Sequence, residues 1–278
     1  MLQTSSQFGR FPVDMVIVRN AISEGAIAIK KKQLGLSYTM DEKLQNLHPS
    51  RWRLTNFGRL QAECTGNWIN EHFPLQFDAY ITGEFVRSIE TAATMKLKGA
   101  LWKPSLYLRP REFGNYSLLS RGVNPKEVQA SRNIKEKVRD SFYWTPPNGE
   151  SIAQLTLRTE RVIHWIRNRV PADGSVVIVT NKDIMEALRI RIEKISQSDY
   201  DRRINHCPKD ESLHYCSILH YSRRNPKTGE IVPRYSWMRI CTPWLGKNYA
   251  KEDFKEIYEI SYKNEELLAE VSNVPCLF

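Results

Sequence analysis

Two arginines and two asparagines occupy the positions in this chain best placed for chemistry. Arg19 and Asn20 come directly after the apolar run Val13–Val18, and Asn181 and Lys182 come directly after Val176–Thr180. A third polar segment, Thr82 to Ala92, follows Phe77–Ile81 and carries Glu84 and Arg87. If the three segments lie together, Arg19 and Arg87 converge beside the amides of Asn20 and Asn181. Two guanidiniums next to neutral amide donors suit a phosphate group, because each arginine offers a planar fork of charge-assisted donors. Either arginine alone reads as a surface ion pair. The pair, each in a segment directly after an apolar run, points to an anion site.

The elements that must position these residues follow from periodicity and punctuation. Val13–Val18, Phe77–Ile81 and Val176–Thr180 are short, β-branched or aromatic runs bounded by polar residues, and read as buried strands. Thr55 is a plausible N-cap for a helix carrying Leu60, Cys64, Trp68 and Ile69, which Pro74 ends. Further helices are expected over about Glu84–Met95, Glu150–Val170 and Asp183–Ile192, and helical pieces over Arg121–Asp140. Ser217–Tyr221 and Arg234–Ile240 alternate like strands around an Asn225–Gly229 turn, whereas Lys30–Pro49 reads as an irregular surface excursion. Strands alternating with helices predict an α/β three-layer sandwich: a mainly parallel central sheet with helices on both faces. No repeat or linker divides residues 1–278, so a single domain is expected. Its core spans about 13–245, with a capping insertion over about 104–148 and a C-terminal appendage over about 246–278. In such a sheet, ligands collect beyond the carboxyl ends of the strands, where Arg19, Asn20 and Asn181 fall.

Composition narrows the partners only a little. The 278 residues include 41 Lys+Arg against 31 Asp+Glu, a net charge of +10 that fits nucleic acid, an anionic membrane surface or an anionic small substrate. A solvated basic surface accounts for such an excess equally well. No apolar run approaches the roughly 20 residues of a membrane-spanning helix, and the first residues lack the pattern of a signal peptide. Five widely spaced cysteines argue against a disulfide framework or structural zinc, so a cytoplasmic setting is expected. No metal or cofactor is called for. His206 with Cys207 and His214 with Cys216 match no usual zinc spacing. His72 and His164, on predicted helices, read as structural or exposed.

At this point the ordered motifs resemble those of the histidine phosphatase, or phosphoglycerate mutase-like, superfamily, over about 230 residues. That family's strand followed by Arg-His-Gly and then Ser-Glu corresponds to Arg19-Asn20-Ala21 and Ser23-Glu24. Its Leu-Thr-x-x-Gly-x-x-Gln-Ala corresponds to Leu54 through Gly58 to Gln61-Ala62, and its Arg-x-x-x-Thr-Ala to Arg87 through Thr91-Ala92. A Gly-Glu-Ser turn is present at Gly149–Ser151, and a strand ending in Thr-His-Gly becomes Thr180-Asn181-Lys182. Asn205-His206-Cys207 and Trp237-Met238-Arg239 resemble a bacterial branch.

The resemblance implies a phosphatase acting through phosphohistidine, with the first His as nucleophile and the second His and two arginines holding the phosphoryl group. Arg19 and Arg87 are retained. Asn20 stands at the nucleophile position and Asn181 at the second His position, while Pro110 falls where the family's usual acid stands. Ser23, Glu24 and Lys182 are further pocket candidates. Glu84 or Asp183 could supply a proton or activate water as a minority route. An amide cannot form the phosphoenzyme that an imidazole can, but it still donates to a phosphate oxygen.

The expected function is therefore binding of a phosphorylated small molecule or phosphoprotein with impaired turnover. One alternative is an active phosphomonoesterase whose histidines are replaced in this copy. The identical pair of replacements favours a deliberate change, whereas Ala21, Lys182 and Pro110 favour natural drift. A nucleic-acid-binding or scaffold role, motivated by Lys30–Lys32 and Arg223–Lys227, ranks last for want of a recognition motif. A homo-oligomer is left open. Ligand selectivity would come from the Lys30–Arg53 and Arg109–Trp144 segments.

Overall fold

The computed structural model describes residues 10–34, 44, 47–114, 140–206, 211–250, 253–258, 261–272 and 276. The helical pieces expected over 121–139, most of the 35–46 segment and the Cys207 position lie outside the described residues.

The chain opens with β1 (Asp14–Arg19), α1 (Glu24–Gln33) and, after a 3-10 turn at Pro49–Arg51, α2 (Asn56–His72). It continues with β2 (Ala79–Gly83), α3 (Val86–Thr94), β3 (Trp102–Ser105), α4 (Ile152–Arg169), β4 (Ser175–Thr180), α5 (Lys182–Glu193) and α6 (Gln197–His206). The strands β5 (Ile218–Ser222), β6 (Trp237–Cys241) and β7 (Lys255–Glu256) and the helix α7 (Asn264–Ser272) complete it. The strands form one sheet in the order β3-β2-β4-β1-β5-β6-β7. The four strands β3, β2, β4 and β1 are mutually parallel, and β5, β6 and β7 extend the sheet antiparallel.

The apolar runs at the centre are explained by burial on both faces. Met15 and Ile17 of β1 and Val176 and Ile178 of β4 pack with Leu155, Val162, Ile184 and Leu188 from α4 and α5. The alternate residues Val16, Val18, Val177 and Val179 pack with Ala62, Trp68, Ile69 and Ala92 from α2 and α3. A strand with helices on either side has no polar face, so alternation disappears from its sequence. The α/β architecture expected from the sequence is the one observed.

Three elements before the expected C-terminal appendage differ from the sequence reading, and β7 and α7 form within that appendage. The segment Ser23-Glu24-Gly25, to which the sequence assigned no element, opens α1, which takes in the first residues of the supposed excursion at Lys30. Strand β3 is short and carries Pro104, whose missing donor suits an edge position. The third, α6, is polar enough to escape a periodicity search.

Candidate functional site

The site is set by the sheet register. Strands β1 and β4 run side by side with Arg19 opposite Thr180, so the next residues, Asn20 and Asn181, leave the sheet together. The Asn20 backbone N–H donates to the Thr180 carbonyl at 2.7 Å. Strand β2 flanks β4 with Thr82 opposite Val179, which delivers Arg87, in the first turn of α3, to the same rim. Arg87 Nε donates to Asn181 Oδ1 at 3.1 Å, bringing those two predicted residues into direct contact.

Both arginines are largely buried and held by backbone carbonyls and aromatic rings. Arg87 Nη1 donates to the Pro49 carbonyl at 2.9 Å, and its guanidinium lies 4.8 Å from the centroid of the Phe85 ring. Arg19 Nη1 donates to the Leu213 carbonyl, and its guanidinium lies 3.9 Å from the centroid of the Tyr215 ring. Among the described residues neither makes a salt bridge. Burial pushes the Arg87 guanidinium down to about 10, with partial relief from Tyr215. Burial likewise lowers Arg19, against the opposing influence of Tyr215 and Asp183. Tyr215 thus packs its ring against the Arg19 guanidinium, a role that no motif in the sequence marks.

Asn181 is placed as an N-cap of α5 but does not cap it. Its backbone is extended (φ −96°, ψ 162°), yet its side chain makes no cap hydrogen bond. The Oδ1 is taken by Arg87, and Nδ2 is buried with no partner. A buried donor without an acceptor is costly, about 1–3 kcal/mol. The first-turn N–H groups of α5 are also left without this side-chain cap, and a helix N-terminus favours negative charge. Asn20 differs: it is 4% exposed, and its Nδ2 donates to the adjacent Ala21 carbonyl at 2.8 Å.

The remaining motif residues hold the loop after β1. Thr91 Oγ1 accepts from the Ala21 N–H at 3.0 Å and donates to the Arg87 carbonyl at 2.6 Å, tying that loop to α3. Gln61 Oε1 accepts from the Ile22 N–H at 3.2 Å. Thr55 caps α2 through the Gly58 N–H at 2.9 Å, as expected from the sequence. At Gly58 a Cβ would stand 2.3 Å from the Ile22 carbonyl oxygen, so only glycine allows this approach. Glu90 gathers Arg53, Arg59 and the Leu54 N–H. Burial pushes its carboxyl up, but these partners outweigh it and leave it below its usual value.

The other predicted residues are placed less centrally. Ser23 is buried, and its Oγ accepts from the Ala26 N–H at 3.3 Å, a helix-capping role. Glu24 and Glu84 are exposed, and Lys182 is exposed at the start of α5. Pro110 contributes its carbonyl to Arg158 at 3.3 Å. Beside it, Arg111 is buried, donating to the carbonyls of Glu150 at 2.7 Å and Trp144 at 3.1 Å. Burial lowers its guanidinium, with Asp183 opposing. Asp183 therefore opposes the effect of burial at both Arg19 and Arg111, a relation the sequence did not reveal. The Gly149–Ser151 turn is a capping box: Ser151 and Gln154 satisfy each other's backbone donors at the start of α4.

With the geometry established, the comparison with protein families is decisive. The model for the histidine phosphatase superfamily (branch 1) matches residues 31–227, well over half of the chain. The chain belongs to that superfamily. The matched span of this histidine phosphatase member begins after Arg19 and Asn20, and includes Arg87, Thr91 and Asn181. A comparison with curated protein sequences gives no match.

Solved structures share the histidine phosphatase fold at low identity. A mycobacterial glucosyl-3-phosphoglycerate phosphatase complexed with VO3 aligns at TM-score 0.55 and 17% identity, covering 75% of this chain and 92% of that one. A phosphoserine phosphatase mutant from Entamoeba histolytica, in complex with phosphoserine, aligns at 0.53 and 14%, covering 79% and 93%. A putative alpha-ribazole-5'-P phosphatase from Escherichia coli K-12 aligns at 0.51 and 16%, covering 81% and 97%. At these identities the likeness establishes the fold. Among the described residues, no helix is long and apolar enough to cross a membrane.

Proposed function

We propose that this chain binds a phosphorylated ligand between Arg19, Arg87 and Asn181 and does not turn it over through phosphohistidine. The observation that carries the reading is the unpartnered, buried Asn181 Nδ2 beside Arg87, itself buried without an anion. One phosphate oxygen would take the amide donor, while the others would neutralise the two guanidiniums in a setting where charge-assisted bonds are strong. Asn20 offers no basic nitrogen for attack on phosphorus. Losing a nucleophile removes about a million-fold in turnover in a well-characterised hydrolase. Pro110 offers no proton for a leaving oxygen, and Glu84 is exposed. The ligand is a phosphorylated small molecule or a phosphoprotein; complexes of relatives with phosphoserine and VO3 lend support to the former.

A second reading is an active phosphomonoesterase lineage whose two histidines are replaced here. The intact anchoring by Thr91, Gln61 and Gly58 favours it, because the loop that would carry the nucleophile is still held in place. The two readings separate on the double variant Asn20→His with Asn181→His, assayed against a generic phosphate ester. Recovery of activity by several orders of magnitude supports recent inactivation. Binding of inorganic phosphate with no recovered turnover supports a site specialised for holding. Failure of the original chain to bind inorganic phosphate at millimolar concentration refutes both.

A further inference from the structure

A cavity of about 640 Å³ opens between the edge strand β3 and helix α4, and its lining includes none of Arg19, Arg87 and Asn181. Its apolar base includes Ile81 and Val162, both buried, and its walls include Trp165, Lys103, Arg161 and Arg169. The helical contributors follow from spacing: Arg161, Trp165, Asn168 and Arg169 fall on one face of α4, at i, i+4, i+7 and i+8. Among the described residues, no aspartate or glutamate lines the cavity. Among the described residues, Lys103, Arg161 and Arg169 form no salt bridge. Lys103 Nζ instead lies 5.5 Å from the centroid of the Trp165 ring.

We infer that this groove is a second binding site, for a planar aromatic anion of the nucleoside monophosphate class. Three cations without a counter-charge around one concave surface make its potential positive, and the low-dielectric floor sharpens that field. An apolar base with a few convergent polar groups, at this volume, has the character of a small-molecule site. The half-buried indole supplies a flat surface on which a base stacks, commonly stabilised by about 1–3 kcal/mol. The exposed Lys103 can swing from the ring to a phosphate, next to Arg161.

The second described cavity, about 490 Å³, is richer in cations, including Arg10, Arg167, Arg191, Lys194 and Arg234. It lies at the C-terminal ends of α4 and α5, where cations answer helix carbonyls. It also contains Glu193, and Arg191 there is paired with Glu160. Unlike the β3–α4 groove, it therefore has a carboxylate in its lining and a cation already paired within the fold.

The test is calorimetric titration of the full chain with AMP, adenosine and inorganic phosphate, repeated on Trp165→Leu, Arg161→Glu and Arg87→Met. With the Arg87 site disabled, AMP is expected still to bind Arg87→Met, and to weaken at least tenfold when Trp165→Leu or Arg161→Glu is added to that variant. In the same background adenosine should bind more weakly than AMP, and inorganic phosphate should not displace AMP. Because Trp165 also packs against the core, Arg161→Glu, an exposed position, provides an arm independent of folding. AMP binding lost in Arg87→Met but kept in Arg161→Glu assigns the nucleotide to the other site and overturns the inference. So does absence of AMP binding, or sedimentation showing that a second copy of the chain covers the groove.

Discussion

Replacing Arg87 with methionine tests the anion site most directly, because it removes the charge while keeping much of the side chain's apolar length. Burial lowers the guanidinium well below its usual value, to about 10. At about 1.36 kcal/mol per pKa unit, the folded protein bears a cost on the order of 3 kcal/mol for keeping that charge. The substitution relieves it, but also deletes the bonds to the Pro49 carbonyl and Asn181 Oδ1, each on the order of 1–3 kcal/mol. These contributions oppose each other, so the melting temperature of the free protein should change by only a few degrees.

The response to phosphate should change completely. At a hundred times its Kd, a ligand stabilises the folded state by about 2.7 kcal/mol. For a chain of this size that is roughly 5–10 °C in Tm. Differential scanning fluorimetry with inorganic phosphate should show that shift in the original chain and none in Arg87→Met. The pH dependence has a definite sign. Below about 10 both states are protonated at Arg87 and the cost of the buried charge is complete. As pH rises through 10, the folded state releases the proton before the unfolded one, so the original chain gains stability relative to the variant. A phosphate-induced shift that survives in Arg87→Met would refute the reasoning.

Three other substitutions test the supports and the core. Gly58→Ala pushes a Cβ to 2.3 Å from the Ile22 oxygen and should destabilise by about 1–3 kcal/mol, with weakened phosphate binding, in denaturant titration and calorimetry. Thr91→Val leaves the buried Ala21 N–H without its acceptor; a loss of about 1–3 kcal/mol is expected by urea unfolding. His220 is buried between Asp14 at 2.8 Å and Arg239 at 3.1 Å, and burial holds its imidazole below the usual value of 6.5. The unfolded chain therefore binds the proton first, so stability should fall as pH drops below about 6.5. His220→Gln should flatten that part of the profile.

The central sheet was legible because three strands buried on both faces, β1, β2 and β4, leave largely continuous apolar runs, as at Met15–Val18 and Val176–Val179. Strand β3 was not, because an edge strand half-exposed around Lys103 and Pro104 leaves no such signal. Helix α1 was hidden behind its own capping residue: Ser23 and Glu24 sit in a motif that draws attention as chemistry, yet Ser23 Oγ is engaged in starting a helix. The Arg87–Asn181 contact was readable from the position of each residue after its strand. Tyr215 and Arg111 were not, because both come from irregular segments whose approach to the site depends on tertiary packing. Arg111 stands next to the Pro110 position that motif reasoning reached.

Asn20 and Asn181, which the proposed function sets at the histidine positions, are not equivalent, and the difference favours that proposal of a site that holds rather than reacts. Asn181 has an acceptor that fixes its orientation against Arg87, and its remaining donor is buried and unspent. Orientation of one amide oxygen by a cation leaves the nitrogen directed by default, since the two atoms are fixed on one plane. Asn20 turns its donor back to the Ala21 carbonyl, within a loop held by Thr91 and Gln61. Those anchors act on backbone N–H groups, not on the side chain at position 20, so replacement of a nucleophile there leaves the loop's supports untouched. The arginines are likewise held by carbonyls from Pro49 and Leu213, which do not depend on either asparagine. The machinery that positions charge is therefore separable from the group that would attack phosphorus. A chain of this family can lose the second and keep the first, because different atoms build them.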